Sequence, residues 1–209
     1  MHLSARSHAT LVLVLLALSM LLVGAAAFLM PDSYNWVAQT TSESAAQGVQ
    51  NAWIARAGFV IMGFAVLLLA SLAERRWGMW GRSVFRLYSV GMISTAVFSN
   101  KPWESVAYVE FEDTLHSWAS SIVGFAFIVG VLVVMMRRPI SDRAGRLFDW
   151  VAIAAAIGIS VLIFTLEDVA GVSQRLMFLI AYVWFAVEAV RSARDDPHTS
   201  EAMARRMAS

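Results

Sequence analysis

The residues best equipped for chemistry lie in one short run, Glu110-Phe111-Glu112-Asp113-Thr114-Leu115-His116-Ser117, which leads into a hydrophobic stretch and continues as Ser120, Ser121 and Gly124. On a helix Asp113 and His116 stand at i and i+3 and share a face, with Ser117 and Ser120 following on nearly the same stripe. A carboxylate beside an imidazole orients the ring and raises its proton affinity, so Asp113 or Glu112 with His116 forms a proton-transfer pair or part of a metal site. If the chain is an enzyme, His116 is the general base, Asp113 orients it, and Ser117 or Ser120 stands near the reacting group. The plainer reading makes Asp113 or Thr114 a helix cap, acids being favoured at the positive end of the helix dipole. His116 is then an interfacial residue satisfied by a neighbour.

Arg56 is the second informative residue, because it falls inside the start of a hydrophobic segment. A guanidinium at the centre of a membrane helix costs about 2.5–3.5 kcal/mol on insertion scales, so it takes a partner or reaches the headgroups. Glu43, Glu112, Asp113, Glu167 and Asp168 are the carboxylates available to it. An anion or headgroup site built on Arg56 and a tie between helices are both consistent with this pattern. Glu43 has a local role open to it, because Thr40-x-x-Glu43 matches a capping box that opens a short helix. Glu167-Asp168 and Gln174-Arg175 read as solvated turn residues or as the rest of a polar ring around the same mouth. Glu188 reads as an interfacial partner of Arg191 or Arg194.

Several chemistries are excluded by supply. The chain has no cysteine, so disulfides, thiol nucleophiles and thiolate-held metals are out of reach. His116 stands alone near a hydrophobic segment, the other histidines being His2, His8 and His198, so no three-histidine zinc site can form. A Gly-rich phosphate loop, a G-x-S-x-G elbow and H-E-x-x-H are all missing, and no helix carries an acid at its centre. No metal and no cofactor are expected, and a net charge of +1 offers nothing to a nucleic acid.

The elements that must position these residues follow from composition. Of the 209 residues 59% are hydrophobic and only 15% charged, too apolar for an ordinary soluble domain. A span needs roughly 20 mostly apolar residues to cross a hydrocarbon layer about 30 Å thick. Six stretches qualify or nearly so: about Thr10–Met30, Trp53–Ala73, Val84–Asn100, His116–Met136, Leu147–Leu166 and Arg175–Val190. The fold class is therefore all-α, a polytopic membrane domain over residues 1–194, followed by a polar tail from Asp195 to Ser209 without expected order. The first stretch also fits a cleavable signal peptide, with Arg6, the run Leu11–Val23 and the small residues Gly24 to Ala27. Its continuation through Phe28-Leu29-Met30 to spanning length favours retention. The third stretch is short and polar, and Ser89, Ser94, Thr95 and Ser99 suit contact with neighbouring helices better than contact with lipid.

Orientation follows from basic residues in short connections, which stay cytoplasmic. Arg6, then Arg75, Arg76, Arg82 and Arg86, then Arg137, Arg138, Arg143 and Arg146, then Arg191, Arg194, Arg205 and Arg206 fall on one side, against Arg56, Lys101 and Arg175 on the other. Both termini are thus expected in the cytoplasm. Trp36, Trp53, Trp103 and Trp118 near the outer borders and Trp77, Trp80 and Trp150 near the inner ones fit an interfacial belt.

The segment Gln39 to Ala46, running through Asn51 and Arg56 into Gly58-Phe59 and Gly63, resembles the family called domain of unknown function 998. Asp113-Thr114-Leu115-His116 is similar to that family's second landmark, whereas Phe98-Ser99-Asn100-Lys101-Pro102 departs from its usual end of the third helix. The resemblance implies a small six-helix prokaryotic membrane protein and brings no activity with it. A looser likeness to seven-helix hydrolases of the alkaline-ceramidase type lacks the histidines of that chemistry. The expected function is accordingly a non-enzymatic or accessory protein of the plasma membrane. Its outer-facing polar pocket, formed by Arg56, Asp113 and His116 with Glu43 and Glu112, would bind a lipid headgroup, a small solute or a partner membrane protein. A lipid- or envelope-directed hydrolase and a small transporter are the alternatives.

Overall fold

The structure is a computed structural model, and it describes residues 4–194. The tail from Asp195 onward lies outside the described residues. Within them the chain is helical: α1 Ala5–Ala26, α2 Ala52–Leu72, α3 Glu74–Val97, α4 Glu110–Arg137, α5 Arg143–Thr165 and α6 Ala170–Arg194, with short 3-10 turns at Glu43–Ala45 and Glu167–Val169. Of the six, α1, α2, α4, α5 and the segment ending in α6 are long and apolar enough to span a bilayer.

Consecutive helices pack as neighbours in a closed ring, the α5–α6 hairpin completing it by touching α4 and α1. α1 buries Ala9, Val12, Leu16, Ser19, Val23 and Ala26, a stripe at alternating steps of three and four that follows the helical period. α2 is covered from both sides, with Phe59, Met62, Val66 and Leu69 essentially inaccessible. Midway along α1, Ser19 Oγ donates to the Gly58 carbonyl at 2.7 Å and takes the Tyr182 hydroxyl proton at 2.7 Å, joining α1, α2 and α6 at one buried point.

Every helix begins ahead of its hydropathy border, α3 and α4 by the most. α3 starts at Glu74 and α4 at Glu110, because hydropathy marks where lipid begins while helix formation continues through the polar flanks. Within α3 the helix is kinked at Gly78, whose φ of 61° and ψ of −174° are non-helical. The positive φ is what asks for glycine, the nearest atoms to an added β-carbon being the movable Arg137 guanidinium. Ser89, Thr95 and Ser99 of the third stretch are buried, as small hydroxyl residues between helices should be.

The antiparallel order gathers the connections at two ends. One end carries the 27–51, 98–109 and 166–169 connections with their acids. The opposite end carries the α2–α3 and α4–α5 turns and the arginines.

Candidate functional site

At the acidic end the 27–51 loop is held by polar side chains that bond its backbone. Thr40 and Glu43 form a reciprocal capping box: the Thr40 amide donates to Glu43 Oε2 at 2.6 Å, and the Glu43 amide donates to Thr40 Oγ1 at 3.2 Å. Thr40→Ala is expected to cost about 1 kcal/mol, measured as a lower midpoint of thermal unfolding in detergent. An unchanged midpoint would mean that the turn adds nothing. Arg56 donates from Nε to the Ala45 carbonyl and from Nη2 to the Ala46 carbonyl, both at 2.9 Å, closing the C-terminal end of that turn. Its guanidinium is a tie between α2 and the loop.

Two further residues dock this loop on α6. Gln174 Oε1 accepts from the Thr41 amide and hydroxyl, and Arg175 donates to the Trp36 carbonyl at 2.6 Å and to the Tyr34 hydroxyl at 2.7 Å. Burial pushes the Tyr34 phenol above its ordinary pKa, although the neighbouring Arg175 charge pulls the other way. Asn51 adopts a φ of 63° at the start of α2 and donates to the Leu29 carbonyl at 2.7 Å, linking the end of α1 to α2. Asparagine is among the residues that enter this left-handed region most readily.

The head of α4 organises the 98–109 loop in the same way. Because α4 starts at Glu110, neither Asp113 nor Thr114 is its cap, contrary to the capping expectation. Glu112 instead accepts the Ser99 amide at 2.7 Å, and Asp113 accepts the Lys101 amide at 2.8 Å. His116, 2% exposed, lies between α3 and α4 with Nδ1 3.1 Å from the Thr95 carbonyl and 2.8 Å from the Phe98 carbonyl. Those acceptors place the proton on Nδ1 and leave Nε2 buried without a hydrogen-bond partner. Each of Arg56, Glu112, Asp113 and His116 thus makes its hydrogen bonds to backbone groups, and no hydrogen bond or ion pair among the described residues joins them to one another. Ser117 points away on the exposed side of α4, where the Ser120 and Ser121 hydroxyls bond its carbonyl.

Gln47 is the residue that sequence reasoning missed here. Its backbone amide donates to the Asn100 carbonyl at 2.9 Å, and its side chain donates to the Ser99 and Val109 carbonyls, each at 3.0 Å, while accepting the Val109 amide at 2.8 Å. One glutamine thus pins two loops together, and nothing in the spacing of a surface Gln announces that. Beside it opens a cleft of about 780 Å3, walled by Pro31 and residues 47–50 on one side and by Pro102 to Glu104 and Val106 to Val109 on the other. Arg56, Glu43, Glu112, Asp113 and His116 support these walls from behind and do not line the cleft.

The arginine end holds a second polar cluster that the sequence reading passed over. Asp149 and Glu188 are completely buried, and Arg138 is 6% exposed between them. Arg138 donates from Nε and Nη2 to Asp149 and from Nη2 to Glu188 at 2.6 Å. Trp184 Nε1 donates to Asp149 at 2.9 Å and Trp77 Nε1 to Glu188 at 3.0 Å, with Arg76 and Arg191 at 3.5 and 3.3 Å from Glu188. Burial opposes the Arg138 charge, but Asp149 and Glu188 outweigh it and hold its pKa above the usual arginine value. Glu188 does meet Arg191, and its closest cationic partner is Arg138, in a position wholly buried between the helices. The missed signal was Asp149 in an apolar helix, two residues beyond the hydropathy border at Leu147. Below the cluster, Trp77, Phe85, Trp184 and Phe185 pack with ring centroids 4.5 to 5.9 Å apart.

Fold and polar clusters together define an all-helical protein of membrane type, with several spanning-length helices, a looped cap at one end and a buried ion cluster at the other. The family model described as "Protein of unknown function (DUF998)" matches residues 11–191, and the chain belongs to that family. No curated protein and no solved structure matches it.

Proposed function

We propose that the chain is a six-span protein of the plasma membrane with both termini in the cytoplasm, and that its cleft at the outer face captures a ligand without catalysing a reaction. The ligand class is a lipid headgroup, a small solute or a partner protein. The observation that carries this reading is the pinned cleft: two loops held by Gln47, Arg56, Glu112 and Asp113, enclosing about 780 Å3, within the roughly 300–1,000 Å3 of small-molecule sites. Rigid walls lower the ordering cost of binding. Catalysis by His116 would require its free nitrogen to reach a substrate, whereas the ring is buried behind the wall.

α3 is counted as the sixth span because its exposed stripe beyond Arg86 is Leu87, Val90 and Val97, while its hydroxyls face protein. A helix flanked by α2 and α4 needs an apolar face only where lipid touches it.

Topology is testable on a cysteine-free background. Ser105→Cys should react with a membrane-impermeant maleimide in intact cells, and Ser141→Cys only after permeabilisation. The opposite pattern would invert the orientation, and labelling of both in intact cells would remove the six-span arrangement. For capture, a photo-crosslinking amino acid at Val106 should yield an adduct in cells that the same group at Ile157, on the apolar flank of α5, does not. Identical adducts at both positions would leave only bulk lipid contact and end the binding reading.

A further inference from the structure

We propose that the cleft takes a cationic amine, the ammonium group of a small solute or of an aminophospholipid headgroup; this rests on the binding role just proposed and specifies its chemistry. Among the residues lining the cleft the single charged side chain is Glu104, and no lysine or arginine is present. Trp103 and Tyr108 supply aromatic faces, and Gln50 supplies an amide carbonyl, that of Gln47 being engaged by the Val109 amide. Carboxylate, π-faces and amide oxygens favour a positive charge, and the donors beside them, the Gln50 amide, the Tyr108 hydroxyl and the unpartnered Trp103 indole N–H, are neutral and bring no positive charge to hold a phosphate.

The arrangement is held in place. Ser33 donates to Glu104 Oε1 across the two loops, fixing the carboxylate at the rim. Trp103 is braced edge-on by Tyr34, with ring centroids 5.1 Å apart and an interplanar angle of 70°. Tyr34 in turn is fixed by Arg175 and by its own bond to the Thr40 carbonyl at 2.8 Å. The two arginines of this end are committed to loop carbonyls, Arg56 to Ala45 and Ala46 and Arg175 to Trp36 and Gln39. Neither guanidinium lines the cleft, so an anionic ligand has no cation there to meet. The surrounding acids Asp32, Glu110, Glu112 and Asp113 add a field of the sign that draws cations in.

The test uses the full chain, purified in detergent and titrated by calorimetry with ethanolamine, tetramethylammonium, glycerol 3-phosphate and glycerol. In parallel, the protein in nanodiscs containing equal phosphatidylethanolamine and phosphatidylglycerol is analysed by native mass spectrometry for retained lipid. Saturable binding of a free amine in detergent supports a solute. Selective retention of phosphatidylethanolamine with no response to free amines supports the lipid headgroup. In either case Glu104→Gln, which keeps an acceptor for Ser33 and removes only the charge, should weaken binding about tenfold or more, as should Trp103→Leu, with partial recovery in Glu104→Asp. Binding of glycerol 3-phosphate, glycerol or phosphatidylglycerol that Trp103→Leu abolishes and Glu104→Gln leaves intact would overturn the amine assignment and keep the cleft as a binding site. If no probe binds in a manner sensitive to either substitution, the amine assignment fails, and an accompanying loss of the Val106-specific crosslink would take the binding reading with it.

Discussion

Replacing Arg138 with methionine is expected to destabilise the protein by about 3–5 kcal/mol, because two carboxylates would be left buried without their shared counter-charge. Asp149 and Glu188 are fully inaccessible, and neither can turn to water. The Trp184 and Trp77 indole N–H groups still donate to them, but neutral donors offset only part of the lost Coulombic term. Glu188 keeps Arg76 and Arg191 beside it at 3.5 and 3.3 Å, so Asp149 suffers most. The expected readout is a large drop in the unfolding midpoint in detergent, with recovery when Arg138→Met is combined with Asp149→Leu and Glu188→Leu. Recovery follows because removing every charge together removes the desolvation cost as well. A double-substitution cycle between Arg138 and Asp149 should return a coupling of about 1 kcal/mol or more. If Arg138→Met unfolds at the wild-type temperature, the carboxylates are neutral in the folded protein and the cluster is a hydrogen-bond network without ionic character.

The second large effect is expected at the start of α6. Gly171 sits against the backbone carbonyls of Gln39, Trp36 and Val37, and an added β-carbon would lie 2.6 Å from the Trp36 oxygen and 2.8 Å from the Val37 oxygen. These are main-chain atoms that cannot rotate aside. Gly171→Ala must therefore lift the 27–51 loop, breaking the bonds from the Gly171 amide to the Ala38 carbonyl at 3.0 Å and from the Val172 amide to the Val37 carbonyl at 3.1 Å. Overpacking of this kind costs about 1–3 kcal/mol. Because Pro31 and Gln47 belong to the same loop, the cleft should loosen too, seen as faster hydrogen exchange over residues 31–47 and weaker ligand capture. Wild-type exchange in Gly171→Ala would show that the loop is anchored elsewhere, leaving Gln47 and Arg56 as its main ties.

The two effects separate the ends of the bundle by physical role. At the arginine end, buried charges of opposite sign fasten α3, the α4–α5 turn, α5 and α6 where an error in helix register would strand a charge. At the acidic end, side chains satisfy loop backbone groups that would otherwise lie unpaired. Arg56, Glu112, Asp113 and His116 all do this, which is why residues that look reactive in the sequence stand behind the cleft and not in it.

Composition and hydropathy alone determined the all-helical class and the approximate positions of the apolar helices, because a span-length helix needs about 20 mostly apolar residues wherever its neighbours lie. Local spacing also disclosed the Thr40–Glu43 box, whose partners are three residues apart. The family was legible for a related reason, since the segments that carried the resemblance, Gln39 to Gly63 and Asp113 to His116, are each local in sequence. Tertiary structure decided everything that joins distant parts of the chain: Gln47 to Ser99 and Val109, Arg175 to Tyr34, and Arg138 to Asp149 and Glu188. Those partners are 11 to 141 residues apart in sequence. Helical period reports which face of a helix is buried but not which residue of another helix meets it. The cleft belongs to that second category, for its walls come from two loops that only the closed ring of helices brings together.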